Sequence, residues 1–319
     1  MNKRAQTLMV SLWLLVILTI FTVGIGHRVS IALRLSRYQR DKLRATYLAK
    51  AGLNIAILEL EKDDQNFDNP NDLWSNNEEK FKKIAFDDEQ TDFATVSYET
   101  LDEDNNPESI YGVIDEERKI NINTVSSALL AELLKSIEVA NSAEIANNIC
   151  AFRGDTNITI PDYTELGYTN KADRFVNKNE LLLVKDIDRQ IYDKLKSQVT
   201  TWGYGRVNVN TTSKEILEIL LEYSKNQIPD IENDPQDLIE KILQVRPANN
   251  FSDLQGKLSA QGNLNSGQIN VLNELQKVID FKSSCFYIES NGKINNNKRS
   301  SIQCVFDRLN NRILYWHES

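Results

Sequence analysis

Few side chains in this 319-residue chain have the types and the spacing that catalysis needs. Two histidines are present, His27 near the beginning of the sequence and His317 close to its end. A histidine-activated nucleophile, or a metal site with several imidazole ligands, requires such groups to lie together. Walker-type glycine loops and the Gly-x-Ser-x-Gly turn are absent from the sequence. The sequence therefore predicts a protein that is not an enzyme.

An acidic segment, Asp102-x-Asp104-x-Asn106, imitates the start of a calcium-binding EF-hand loop. In that loop a glycine at the sixth position makes a sharp turn, and a glutamate at the twelfth binds the ion through both oxygens. Pro107 and Val113 occupy these two positions here. The match therefore fails, and solvated acidic residues are the default interpretation.

Three cysteines are present. Cys285 and Cys304 lie in segments that read as neighbouring strands, so they could form a disulfide in an oxidising compartment if their Cα atoms lie within about 7 Å. The alternative is two separately buried thiols that pack as small apolar groups. Cys150 has no obvious partner.

The element that would carry the rest of the chain is predicted at its start. An uncharged run extends from Thr7 to Gly26, which is long enough for an α-helix to cross the roughly 30 Å hydrocarbon core of a bilayer. No small-residue cleavage site ends the run. Helical spacing then continues to about Asp63, so we expect one helix of about 55 residues, apolar all round at first and amphipathic later.

The charges on the two sides of the uncharged run favour opposite orientations of the helix in the membrane. Lys3 and Arg4 favour a cytoplasmic N-terminus, but a basic stripe follows the run and would also be kept in the cytoplasm. We interpret this stripe as a surface for acidic partner subunits, with a solvated or lipid-facing surface as the alternative. Its members are Arg28, Arg34, Arg37, Arg40, Lys42 and Arg44.

Composition and net charge indicate the class of protein and limit its partners. With 41% hydrophobic and 26% charged residues the chain is predicted to be globular. The net charge of −9 disfavours a nucleic-acid partner.

The middle of the chain contains an internal repeat, in which 119–130 (KININ TVSSALL) recurs as 206–217 (RVNVN TTSKEIL). Thr124 and Thr211 are the predicted N-caps of the leucine-rich helices that follow. Each copy continues with a second helix that ends in arginine, at 145–153 and 238–246, and then with a segment led by phenylalanine. The motif asparagines are predicted to hold turns; they are Asn121, Asn123, Asn208 and Asn210.

Strand signals flank this helical middle. The segments 93–101 and 110–114 are rich in β-branched and aromatic residues and predict a hairpin. Near the end, 285–289, 301–306 and 312–316 repeat the signal, with turns predicted at Asn-Gly-Lys and Leu-Asn-Asn. Strands on both sides of a helical middle predict a single sheet that is interrupted by an insertion.

Several motifs, spread over nearly the whole chain, resemble those of the minor pseudopilin K family of type II secretion systems (general secretion pathway protein K). They are Leu12-Trp13, the segment 49–53 (AKAGL), the two Asn-x-Asn-Thr motifs and the tail 313–318 (ILYWHE). The resemblance implies an α+β, pilin-like fold. A long N-terminal helix would pack on a small antiparallel sheet, with a large all-α insertion of the helix-hairpin-helix or SAM-like type.

The resemblance also implies a division of the chain. Residues 1–5 would be a leader peptide and 6–26 a transmembrane and polymerisation helix. A pilin-like domain would comprise 27–117 and 281–319, and an all-α domain would be inserted at 118–280.

Aligning Trp13 with the family's tryptophan places Ala5 where the prepilin peptidase usually recognises glycine. Gln6 would then be the mature N-terminus, and Val10 the fifth mature residue. Most pilin subunits carry glutamate there, and the K-type subunit lacks it. Since a buried carboxylate needs a partner and a tip subunit has no neighbour above it, an apolar Val10 suits a subunit at the tip. A Val10 that only faces the membrane is the alternative.

Calcium is the one cofactor that the resemblance implies. Carboxylates in the insertion would bind it, and the residues at the corresponding place are Asp155, Asp162 and Glu165, which offer the oxygen ligands that Ca²⁺ requires. Solvated loop acids are the alternative.

These expectations describe a minor pseudopilin that caps or initiates the pseudopilus for export of folded proteins across the outer membrane. It would be a single-pass inner-membrane protein with a cytoplasmic N-terminus and a periplasmic C-terminal domain. Its partners would be other minor pseudopilins in a heteromeric tip complex and the prepilin peptidase, with no nucleic acid.

Other functions remain open at this point: a membrane-anchored, competence-type DNA-binding protein with helix-hairpin-helix repeats, a minor type IV pilin, or a single-pass receptor. A DNA-binding hairpin needs glycines for a close approach to phosphate and nearby basic residues. The corresponding positions, 136–141 (SIEVAN) and 224–229 (SKNQIP), contain no Gly-x-Gly. This absence disfavours DNA binding.

Overall fold

Helix α1 (Lys3–Lys62) is continuous over 60 residues, so the prediction of one long helix is confirmed. The structure is a computed structural model that describes residues 3–63, 66–85, 91–101, 107–228, 236–262 and 264–319. Among the side chains described in α1, the first buried one is that of Ala45. The part of the helix before it, 6–44, is roughly 60 Å long at 1.5 Å per residue. It therefore projects from the folded body of the protein as a stem.

The second half of α1 packs on a sheet through small residues. Ala45, Ala49 and Ala56 are fully buried on this face. Gly52 lies among them, and a Cβ at its position would be 2.5 Å from Oγ of Ser290 and 2.8 Å from Cβ of Ala94. Because the helix backbone approaches the sheet so closely, the Ala-Lys-Ala-Gly-Leu segment has a packing role.

The main sheet is antiparallel and joins strands from both ends of the chain. The strands that precede the insertion are β1 (Ile84–Ala85), β2 (Phe93–Val96), β3 (Tyr98–Leu101), β4 (Pro107–Ile110) and β5 (Ile114–Asp115). Those that follow it are β10 (Cys285–Ile294), β11 (Asn297–Asp307) and β12 (Arg312–Glu318). The order in the main sheet is β1-β2-β10-β11-β12, and β5 pairs with the beginning of β10. Strands β3 and β4 form a separate hairpin.

Two strand predictions need correction. The segment 93–101 is not one strand: β2 pairs with β10 in the main sheet, whereas β3 pairs with β4. The Asn-Gly-Lys segment is not a turn, because β10 runs through it with an irregularity at Gly292 and the chain turns at Asn295 and Asn296, which both have positive φ. Glycine is needed at 292 for the close approach of α1, since a Cβ there would overlap the carbonyl of Ala45.

The insertion consists of two similar halves. Each half begins with a two-residue strand, continues with helices and ends with a two-residue strand that pairs with the first in parallel. The strands are β6 (Ile120–Asn121), β7 (Val199–Thr200), β8 (Val207–Asn208) and β9 (Ile279–Asp280). These strands were not predicted by the sequence, since two residues are too few for a recognisable alternation.

Helices dominate the rest of the insertion. The first half contains α3 (Ser127–Ser136), α4 (Ser142–Phe152) and α5 (Arg189–Leu195), and the second contains α6 (Lys214–Asn226), α7 (Gln236–Val245), α8 (Phe251–Gln261) and α9 (Ser266–Leu275). The short helix α2 (Glu78–Phe81) lies before the insertion. Both predicted second helices are present, and they end beside Arg153 and Arg246.

The paired motif asparagines make matching hydrogen bonds in the two halves. Asn121 accepts from the backbone N–H of Asn123, and Asn208 does the same for Asn210, each at 2.9 Å. The amide groups of Asn123 and Asn210 then donate to carbonyl oxygens of distant loops. The asparagines thus satisfy backbone groups that would otherwise be buried without partners.

The helix N-caps differ from the prediction by two residues. Ser126 and Ser213, rather than Thr124 and Thr211, accept the backbone N–H groups of α3 and α6. Thr211 instead donates its hydroxyl hydrogen to Asp115 at 2.5 Å. The two threonines belong to the turn between strand and helix.

Two hydrophobic cores are present among the described residues. One joins α1 to the sheet and includes Trp74, Phe81 and Phe286. The other lies inside the insertion and includes Leu133, Phe152 and Leu220. The α+β fold class, with a long N-terminal helix on an antiparallel sheet, is confirmed; the domain boundaries at 118 and 280 stay predictions.

Candidate functional site

The apolar half of α1 is exposed along its length. Leu8, Trp13, Phe21 and Ile25 are each more than 60% exposed, although burial of such side chains away from water is worth about 1.5–3 kcal/mol each. The segment Gln6–Lys62 includes an apolar window long enough to cross a membrane. Such a surface fits a single-pass membrane anchor.

The residues of the predicted processing site lie at the start of this stem. Ala5 and Gln6 belong to the first turns of α1, and the side chain of Ala5 lies outside the described residues. Val10 is 60% exposed on the helix surface. It lies in the apolar segment and makes no contact with the folded head.

The basic stripe extends from the stem to the head. Arg44 forms an ion pair of 2.9 Å with the buried carboxylate of Asp92, and Arg40 contacts Asp41 at 3.4 Å. Lys50, further along α1, lies 3.7 Å from Glu318 on β12. The stripe residues that precede Arg44 are exposed. Arg44 therefore contacts the head, and the earlier members face outward.

Asp155 is bound by a neighbouring arginine. Nε and Nη2 of Arg153 donate to its two carboxylate oxygens at 2.9 and 2.6 Å, and Nη1 donates to the carbonyl of Ile122 at 2.6 Å. The hydrogen bonds from Arg153 hold the pKa of Asp155 below its usual range. Because both oxygens are already engaged and the guanidinium supplies the positive charge, Asp155 does not fit a calcium ligand in this arrangement.

The other two predicted calcium ligands lie in the loop after α4. Asp162 is exposed and accepts from the backbone N–H of Thr164 at 2.9 Å and from the Thr164 hydroxyl. These bonds lower the pKa of Asp162. Glu165 belongs to the short 3₁₀ turn Thr164–Leu166, and its side chain lies outside the described residues, as do Asp102, Asp104 and Asn106. The calcium site stays a prediction.

A different carboxylate group is present near the end of α1. In the described part of the chain, oxygens of Asp63, Asp68 and Asp72 lie within 4.8 Å of one another. The guanidinium of Arg308 enters this group, at 2.7 Å from Asp68 and 3.7 Å from Asp63. The chain thus supplies its own cation here. No local pattern in the sequence indicates this group, because Arg308 is 240 residues away from Asp68.

A buried polar network connects the sheet to the second half of the insertion. Asp115 accepts from the hydroxyls of Ser283 and Thr211 at 2.6 and 2.5 Å and from the amide of Asn208 at 3.3 Å. Glu117 accepts from the backbone N–H of Tyr204 at 2.7 Å and from that of Ser284. Burial raises the pKa of both carboxyl groups, and that of Glu117 to about 7.

The two cysteines of the predicted disulfide are free and buried. Cys285 lies opposite Asp307 in the ladder, whereas Cys304 lies opposite Ile288. Since Cys285 and Ile288 are three residues apart on one strand, Cys285 and Cys304 face opposite sides of the sheet. The structure therefore has the alternative arrangement, in which each thiol packs separately.

The turn of the first helical hairpin, between α3 and α4, contains Glu138 and Asn141, both with positive φ. Glu138 adds a negative charge to this turn, which disfavours a phosphate there. The turn between α6 and α7 falls partly outside the described residues.

The solved structures include a chain with this architecture. It belongs to the crystal structure of the GspK-GspI-GspJ complex from the type 2 secretion system of enterotoxigenic Escherichia coli. The two chains superpose with a TM-score of 0.59 at 17% sequence identity, over 89% of this chain and 99% of the other. The chain has a pseudopilin-like fold.

The sequence comparisons give no match. No family model matches the chain, and no curated protein matches it. The pseudopilin-like fold therefore rests on three-dimensional similarity, and the exposed apolar stem of α1 is the feature of this fold that bears most directly on function.

Proposed function

We propose that this protein is a minor pseudopilin of a type II secretion system that caps or initiates the pseudopilus. The observation that carries the proposal is α1, one helix whose first half is exposed and apolar while its second half is buried against the sheet. A helix with these two halves can leave a membrane and join a bundle of similar helices without any change in the head. The stem is the polymerisation surface.

The proposed topology has the N-terminus in the cytoplasm and the head in the periplasm. After the apolar segment, α1 continues for about 27 Å, from 27 to 44, before the first buried contact. This length carries the head clear of the lipid headgroups. The outward-facing arginines, Arg28, Arg34 and Arg37, are placed to meet acidic surfaces of neighbouring subunits.

Two features favour the tip of the assembly. Val10 is apolar, so it does not require the ammonium group of a subunit above it. The insertion is also larger than the sheet that carries it, and such bulk would collide with neighbours along a tightly packed shaft. The similar complex of GspK with GspI and GspJ supports other minor pseudopilins as partners.

Cross-linking in membranes tests this assignment. We would introduce Leu33→Cys on the stem and, as the matched control, Lys277→Cys on the insertion, since the native thiols are buried. With a maleimide–benzophenone reagent, which couples to the introduced thiol and on illumination inserts into a C–H bond of a neighbouring chain, we expect Leu33→Cys to form a product that contains a second helix-bearing subunit. Lys277→Cys should remain monomeric.

Equal cross-linking at the two positions, or a stem that stays monomeric when the other minor subunits are co-expressed, would contradict the proposal. The latter result would favour the single-pass receptor.

A further inference from the structure

A groove of about 340 Å³ lies between the sheet and the insertion. On the sheet side it is lined by Tyr287, Val305 and Tyr315, which are cross-strand neighbours in the ladder. These residues alternate with Phe286, Cys304 and Phe306, which pack towards α1, so the groove opens on the opposite face of the sheet. We call it the back-face groove.

The groove contains one lysine, Lys178, for which no ion pair is present among the described residues. Lys119 forms an ion pair of 2.6 Å with Glu116, whose other oxygen accepts from the Thr200 hydroxyl at 2.6 Å. Lys178 donates to the carbonyl of Lys196 at 3.0 Å, and no carboxylate among the described residues lies within ion-pair distance of it. Burial, together with the charge of Lys119, lowers the pKa of Lys178. An anion bound beside Lys178 would neutralise the charge of this lysine.

The groove also contains a hydroxyl group without a partner. Thr201 lines it and is only 7% exposed, and its Oγ1 has no hydrogen-bond partner among the described residues. A buried hydroxyl that makes no hydrogen bond costs about 1–3 kcal/mol. The hydroxyl can therefore donate a hydrogen bond to a group that enters the groove, or accept one from it.

The surroundings of these groups favour an extended peptide. The rings of Trp202 and Tyr315 are 6.4 Å apart and form a wall of the groove. Tyr315 belongs to β12, the last strand of the main sheet, whose outer edge pairs with no strand in the described part of the chain. A peptide added to that edge would direct the side chain beside Tyr315 to the same face of the sheet, over the groove.

We propose that the back-face groove binds a partner polypeptide that adds to β12 as an extended strand and places an acidic side chain between Lys178 and Thr201. The carboxylate neutralises the uncompensated lysine and accepts the threonine hydroxyl hydrogen, while the flanking side chains pack on Trp202 and Tyr315. This site is separate from the stem and does not depend on assembly of a filament.

Binding of designed peptides to the full chain in detergent micelles tests the proposal. The probe is a dye-labelled nonapeptide of alternating threonine and valine with blocked ends and a central glutamate. A second peptide has glutamine at the centre, and a third has the central glutamine and a free C-terminal carboxylate. We expect the glutamate peptide to bind about tenfold more tightly than the glutamine peptide, and the third peptide to distinguish a terminal acid from an internal one.

Substitutions in the groove test whether the preference for the glutamate peptide arises there. Lys178→Met should abolish this preference. Lys135→Met, which changes an exposed lysine of α3, should leave the preference unchanged. Thr201→Val removes a hydroxyl that has no hydrogen-bond partner among the described residues, so a merely structural role predicts unchanged peptide binding and equal or higher thermal stability. We expect lower affinity for the glutamate peptide instead.

Equal affinity for the glutamate and glutamine peptides, or a preference that survives Lys178→Met, would overturn the proposal. Competition by millimolar phosphate as effective as that by the glutamate peptide would also overturn it, because the site would then be a simple anion site. These outcomes are independent of the cross-linking result on the stem.

Discussion

Gly292 on β10 lies directly beneath the backbone of Ala45 on α1, and the carbonyl oxygen of Ala45 occupies the space that a Cβ on Gly292 would need. Ala45 is also the first described buried residue of α1. The contact therefore marks the point where the stem becomes part of the folded head, and it fixes the direction in which the stem leaves.

Gly292→Ala should destabilise the head because the added methyl group forces the helix and the sheet apart. We expect a loss of about 2–3 kcal/mol in the free energy of unfolding, measured by denaturant titration in detergent. Gly256→Ala in α8 is the matched control, since open space surrounds that position, and it should raise stability by about 0.5–1 kcal/mol. Equal effects of the two substitutions would contradict a close approach of α1 at Gly292.

Glu117 should make the stability of the protein depend on pH. Its pKa is raised to about 7 by burial, so the folded state holds a proton that the unfolded state releases near pH 4.3. Stability is then greatest below the unfolded pKa and falls as the pH rises through about 7. We expect the slope of unfolding free energy against pH between these values to be smaller in Glu117→Gln. An unchanged slope would mean that Glu117 is ionised throughout.

The cysteines should all be titratable without a reducing agent. After denaturation, three thiols per chain should react with a thiol reagent, and the melting temperature should be the same with and without a reductant. In the folded protein reaction should be slow, because the thiols are buried and burial raises the pKa of Cys150 to about 11 and of Cys304 to about 12. If only one thiol per chain reacted, the result would support the Cys285–Cys304 disulfide.

Calcium should stabilise the wild-type protein less than it stabilises Arg153→Gln. In the wild type, Arg153 occupies both oxygens of Asp155, whereas the variant releases this carboxylate for an oxygen-seeking cation. The measurement is the melting temperature at millimolar Ca²⁺, with Mg²⁺ as the control ion. A wild-type melting temperature that rises with Ca²⁺ and falls with a chelator would support the predicted ligands Asp155, Asp162 and Glu165 over the ion pair.

The sequence predicted the features that depend on local patterns. A continuous apolar and then amphipathic periodicity predicts α1, and the paired Asn-x-Asn-Thr motifs predict a duplicated helical insertion. The role of Gly292 could not be predicted in this way, because glycine between asparagine and lysine is a turn signal unless a helix from elsewhere packs on it. Tertiary packing outweighed the local signal at that position.

The charged sites depended even more on distant contacts. Asp68 pairs with Arg308, which is 240 positions away in the sequence. Asp115 accepts a hydrogen bond from Ser283, which is 168 positions away. No spacing rule connects such pairs. The bond between Arg153 and Asp155 is local, but the sequence alone did not reveal that the guanidinium would take both carboxylate oxygens. The calcium site at Asp155, Asp162 and Glu165 stays a prediction.

N-terminal sequencing of the protein extracted from membranes tests most directly whether α1 is a pilin-type polymerisation stem. We expect the isolated chain to begin at Gln6, and a bulky replacement such as Ala5→Leu to leave the leader in place. A chain that begins at Met1 in the presence of an active prepilin peptidase would show that α1 is not such a stem.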